Sequence, residues 1–187
     1  DKQLVGFTSS ATPEFVKDRI REAIMSGAVF SEFEDLPSSE LMAFRETLTN
    51  ELMEDNWTID SVRDSIVDNF GVDSRRAETM ARTEVASTLN TARSDSYRER
   101  GLADESRFYW SGAPPGDNRQ TDACEWLIRK TNPIAANGTP VTLDELQDLI
   151  AEAPTHDPDM DDNLARPGDF VVHPNERSTH VLAPETL

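Results

Sequence analysis

Apolar residues recur at helical spacing from Ala77 onward: Ala77, Ala81, Val85, Leu89 and Ala92, with Met80 and Tyr97 beside the row. Steps of three and four put them on one face, so the pattern predicts a helix of about six turns between Ala77 and Gly101. Val72 with Asp73 or Ser74 supplies the start signals, Glu78 and Arg82 stand one turn apart in the favourable order, and Gly101 ends the run. The apolar face is narrow and largely alanine, which lets another backbone come close. That favours a helix lying across a thin sheet over one inside a thick bundle.

Upstream, three shorter helices are predicted. Thr12 and Pro13 read as the cap and first position of one carrying Phe15, Val16, Ile20, Ala23 and Ile24, stopped by Gly27. A second opens at Ser38 or Ser39, with Leu41, Phe44, Leu48 and Leu52 in register and Trp57 just beyond. A third begins near Thr58, places Ile59, Val62, Ile66 and Phe70 on one side, and ends at Gly71. Short turns between them make an antiparallel arrangement the default.

After Gly101 the texture changes to short strands and loops that need the apolar side of the long helix as a floor. Phe108, Tyr109 and Trp110 give a strand, residues 113–116 a turn, and Glu125 to Lys130 one or two helical turns. Thr142 and Glu145 form a capping box for a helix burying Leu143, Leu146, Leu149 and Ile150, with Val141 placed to staple onto Leu146 and Pro154 closing the helix. Asp169 to Val172 and Thr179 to Leu182 read as two further strands flanking His173 to Ser178. The predicted class is α+β. Residues 1–72 form a helical N-terminal region, and residues 73–187 a domain in which one long helix packs on a small, mostly antiparallel sheet.

Charge sharpens this picture. The 187 residues hold 36 acidic against 18 basic side chains, a formal charge of -18, and only three of the basic residues are lysines. Self-repulsion of that size calls for counter-ions, which points to a protein made for concentrated salt, where the Debye length shrinks to about 3 Å. A halophilic source is therefore expected, with an acidic mesophilic protein as the alternative. No window clusters Lys and Arg as a broad nucleic-acid surface would. The lone Cys124 excludes an internal disulfide, and no apolar run approaches the roughly 18–20 residues of a membrane span, so no membrane association is expected. The chain opens on Asp1 rather than Met, which is compatible with a cut version of something longer.

Three fragments carry a family resemblance when taken in order: Ala81-Arg-Thr-Glu-Val85; Trp110 followed by Asp117-Asn-Arg-Gln-Thr-Asp-Ala-Cys124; and His173-Pro-Asn-Glu-Arg-Ser178. Together they resemble the Mu F-like minor head proteins of tailed viruses, across about half the chain from Met80 to Leu182. The motif positions are Arg82, Glu84, Trp110, Asp117, Arg119, Thr121, Asp122, Cys124, His173, Asn175, Glu176 and Arg177. The resemblance implies a virion protein of head morphogenesis, present in a few copies inside the capsid at the portal vertex. Its partners would be the portal protein and, as further candidates, capsid or scaffold protein. Release with the genome and local contact with genomic DNA are left open. No cofactor and no enzymatic activity are implied. The family's second cysteine falls here on Glu176, so no cysteine-based zinc site carries over. A charge pair between Arg119 and Glu176 is the expected substitute.

Asp117, Arg119, Thr121 and Asp122 form a dense polar knot after the aromatic strand. The structural reading, with Asp117 and Thr121 bonding the backbone of a tight loop and Arg119 paired with a carboxylate, is preferred. The rival is a metal-dependent nuclease or hydrolase using Asp117, Asp122 and His173. As a metal ligand His173 would need two more donors, for which Cys124, Asp122 and His180 are the candidates. Arg82 and Glu84 suit a solvated helix face or, under the resemblance, an anchor for the polar knot. The carboxylates of Asp157 to Asp162 resemble the start of a calcium loop but lack its glycine and final glutamate, so a solvated loop is expected.

Overall fold

In the computed structural model the described residues are 14–26, 38–54, 56–112, 120–160, 165–174 and 178–184. Seven α-helices and one two-stranded antiparallel sheet are found among them, an α+β fold. The helices are α1 (Glu14–Ser26), α2 (Ser38–Met53), α3 (Ile59–Phe70), α4 (Ser74–Glu99), α5 (Leu102–Glu105), α6 (Asp122–Thr131) and α7 (Leu143–Glu152). The strands are β1 (Phe108–Ser111) and β2 (Thr179–Leu182), and 3-10 turns cover Ala153–His156 and Pro167–Asp169.

The element boundaries follow local chemistry. Asp73 caps α4, its carboxylate accepting from the backbone N–H groups of Arg75 and Arg76 at 3.1 and 3.0 Å. Thr58 and Ser61 cap α3 reciprocally, and Gly71 ends it in the left-handed conformation at φ 65°. Thr142 and Glu145 make the expected capping box on α7. The signals assigned to Thr12, Pro13 and Gly27 lie outside the described residues.

Two apolar cores lie along α4. The first joins Ile20 and Ile24 of α1, Phe44, Leu48 and Leu52 of α2, and Val62 and Ile66 of α3 to Ala77, Met80, Ala81, Val85, Leu89 and Ala92 of α4. The alanine row of α4 thus faces the three N-terminal helices, not the sheet, contrary to the sequence reading. Close approach between helices uses the small side chains equally well. The second core gathers Phe108 and Trp110 of β1, Ala123, Cys124 and Leu127 of α6, Leu143, Leu146 and Ile150 of α7, and Phe170 and Val172, with Tyr97 of α4 packed against it.

The sheet is smaller than expected. β1 pairs with β2 in the register Phe108 to Leu182, Tyr109 to Val181, Trp110 to His180 and Ser111 to Thr179. Asp169 to Val172 is not a strand: it follows a 3-10 turn and touches extended structure only through an isolated bridge between Arg166 and Val171. Phe170 there has φ 53°, which breaks any strand. Beyond Gly101 the chain is largely helical, because α5, α6 and α7 cover β1 with their own apolar residues instead of using α4 as a floor. No helix among the described residues is long and apolar enough to cross a membrane.

Leu52→Ala in the first core and Leu146→Ala in the second should each cost about 2–5 kcal/mol. Because α4 reaches both cores, urea denaturation followed by tryptophan fluorescence should give one transition in each variant. Two separate transitions would show that α4 does not couple them.

Candidate functional site

The middle of α4 is buried all the way round, from Thr83 to Asn90. Its apolar half faces α1 to α3. The other half carries Glu84, Ser87 and Asn90 at three-residue spacing, continued by Arg93 and Tyr97, so these side chains form one strip. Against it lies the C-terminal part of the chain, residues 165–174 and 178–183.

Each turn of the strip grips that segment with a polar group. Glu84 is 1 % exposed, and its Oε1 lies 3.6 Å from Arg166 Nη2. The other guanidinium nitrogen is 3.9 Å from Asp169 Oδ2. Burial pushes the Asp169 carboxyl above its ordinary range, while Arg166 and a hydrogen bond with Ser87 act the other way. One turn on, the Asn90 amide donates to the carbonyls of Phe170 at 2.8 Å and Ser178 at 3.3 Å, and its oxygen accepts from the Thr179 hydroxyl at 2.6 Å. Arg93 then donates to the Thr179 hydroxyl and, at 3.2 Å, to the His180 carbonyl. The Asn90 bond holds Phe170 in the left-handed region, a conformation that costs a bulky side chain on the order of 1–3 kcal/mol and persists where the surroundings over-determine it.

The residues singled out from sequence divide into three groups. Glu84 is part of this clamp, whereas Arg82 bonds Glu78 on its own helix at 2.9 and 3.0 Å. Glu84 therefore reaches Arg166. Trp110 is buried core, with its backbone N–H donating to Thr131 Oγ1 at 2.9 Å and its carbonyl accepting from Asn132 Nδ2 at 3.0 Å. Thr121 caps α6, accepting from the Cys124 N–H at 3.2 Å, so this hydroxyl bonds backbone as the structural reading required. Asp122 is exposed in the first turn of α6, Cys124 is buried in the second core, and His173 Nδ1 lies 2.6 Å from the Pro174 carbonyl. Asp117, Arg119, Asn175, Glu176 and Arg177 lie outside the described residues, as does the expected Arg119 to Glu176 pair.

The flanks of the two polar fragments meet at Gly112. A Cβ placed there would run into the Gln120 side chain, and would lie 2.8 Å from Ile128 Cδ1 and 3.1 Å from Ser178 Oγ. Gln120 precedes the α6 cap and Ser178 follows the histidine-proline element, so a larger residue at 112 would make these side chains shift. Cys124 and Val172 also share the second core.

Chemically the α4 strip is a clamp. Its two carboxylates share the Arg166 guanidinium out of water, and among the described residues no three His, Cys, Asp or Glu side chains gather as metal ligands. His180, weighed as a donor, is walled by aromatic rings and by Arg93 and Arg98 of α4, a setting hostile to a cation. Sequence reasoning missed Ser87, Asn90, Arg93, Arg166 and Asp169. Compared with known proteins, the chain matches no family model, no curated protein and no solved structure.

Arg166→Leu should cost about 3–5 kcal/mol, because it takes a counter-charge away from the buried Glu84 and Asp169. The double change Glu84→Leu with Arg166→Leu should recover part of that loss in urea denaturation. Equal losses in the single and double variants would mean that the pair is not coupled.

Proposed function

We propose that this chain is a minor structural protein of a tailed-virus head, of the Mu F-like kind, which binds the portal from inside the capsid and serves as a scaffold without catalysing a reaction. The observation that carries this reading is that the segments bearing the three fragments pack on one another. Glu84 reaches Arg166 and, through it, Asp169, just before the histidine-proline element; Trp110 and Cys124 share a core with Val172; and Gln120 and Ser178 close on Gly112.

The portal-facing part is the N-terminal helical region. The amphipathic faces of α1, α2 and α3 are spent on α4, so docking falls to their outer surface, where Met25 and Met42 are 48 % and 42 % exposed. Removal of residues 1–72 would uncover Ala77, Met80, Ala81 and Val85 and unfold α4, so substitutions test docking better than truncation. The formal charge of -18 adds a halophilic host to the proposal.

Mass spectrometry of purified virions should find a few copies of this chain per particle, and its absence from particles would overturn the proposal. Met25→Asp with Met42→Asp should lower incorporation into heads while leaving the melting temperature within a few degrees. Unchanged incorporation would remove the docking assignment. The melting temperature of the wild-type chain should also rise steadily between about 0.2 M and about 3 M KCl as repulsion is screened; a flat profile would count against the halophilic host.

A further inference from the structure

His180 is the one residue of β2 whose ring is sealed inside the protein. The ring is fully buried, with Phe170 at 4.4 Å, Tyr97 at 5.9 Å and Phe108 at 6.4 Å between ring centres. Among the described residues neither ring nitrogen has a hydrogen-bond partner. A neutral imidazole tolerates such a site as an aromatic does; an imidazolium needs two acceptors, and none is within reach.

The charges around the ring make this one-sided. From α4 the facing groups are the guanidiniums of Arg93 and Arg98 and the Tyr97 phenol, which burial keeps protonated. β1 contributes Phe108, and the segment before the histidine-proline element contributes Phe170, neither of which titrates. The neighbouring carboxylates are already committed: Asp169 to Arg166 and Ser87, and the exposed Asp95 and Asp144 to Arg98 at 3.9 and 3.5 Å. Burial first, and then Arg93 and Arg98, hold the His180 imidazole well below its ordinary 6.5.

Residues 178–183 are held on α4 by polar contacts from Asn90 and Arg93, which water can replace when they lift. We propose that residues 178–183 form an acid-releasable strap on α4, closed only while the His180 ring is neutral, and that protonation drives β2 off β1 while the N-terminal helical core stays folded.

The sign follows from linkage. The open strap binds a proton at the ordinary histidine range and the closed strap does not, so closure is complete above about pH 6.5 and weakens by up to about tenfold per pH unit below it. Asp169 works in the opposite sense, because its raised carboxyl favours the folded state as it protonates at lower pH.

The test is hydrogen exchange of the whole chain between pH 7.5 and pH 5, corrected for the intrinsic exchange rate and carried out in concentrated KCl. Protection at Thr179 to Leu182 should fall by about tenfold per unit below pH 6.5, while amides of α2 and α3 change less than about twofold. His180→Phe should abolish the dependence, and His156→Gln, on the exposed ring stacked on Trp126, should retain it. Flat protection in the wild-type chain, the same fall in His180→Phe, or its loss in His173→Gln would each overturn the strap. If His180→Phe does not fold, proton NMR of the wild-type His180 ring decides: a closed-state ring titrating near 6.5 refutes the proposal, and one silent until the strap opens supports it.

Discussion

Everything in this fold hangs on the burial of a polar stretch of helix. α4 carries alanines and a few larger apolar residues on one side and Glu84, Ser87, Asn90 and Arg93 on the other, and both sides are covered. Burying such groups costs several kcal/mol unless each finds a partner, so the C-terminal segment has to arrive in one register, with Arg166 at Glu84, the Phe170 carbonyl at Asn90 and Thr179 at Arg93. Apolar packing would accept several registers. The polar strip accepts one.

That requirement explains the size of the sheet. Two four-residue strands are marginal alone. Here β1 is supported on one side by the second core and tied to α6 through Thr131 and Asn132, while β2 is fastened to α4 by Arg93 and Asn90. Phe108 also bridges Val141, ahead of the α7 capping box, so α7 is fixed to the same strand. The sheet is thus a junction between elements rather than a layer of the architecture, and Gly112 at its end is where the two polar fragments close on each other.

The same arrangement bears on function. A clamp of paired charges is a poor place for a reaction, because its carboxylates are shut off from water and bound to a guanidinium. It is a good way to hold residues 165–174 and 178–183 in a defined position on α4. The chain carries a formal charge of -18, while inside the clamp Glu84 and Asp169 share the Arg166 guanidinium. Screening by salt therefore reaches the outer surface far more than the clamp.

The sequence by itself determined the helices and their ends. Asp73, Thr58 with Ser61, Gly71, and Thr142 with Glu145 act through groups three or four positions away, and such bonds form whatever the rest of the chain does. It also determined which residues are apolar on α1 to α4, and that Thr121 would bond backbone. The tertiary structure alone decided what covers each face of α4: a row of alanines suits a sheet and three helices equally, and the choice rests on contacts across tens of residues. It likewise denied a strand to Asp169 to Val172, where Asn90, some eighty positions away, holds Phe170 at φ 53°. A carboxylate such as Glu84 reads as solvated until its partner is known, and the pairing with Arg166 is written in no local pattern.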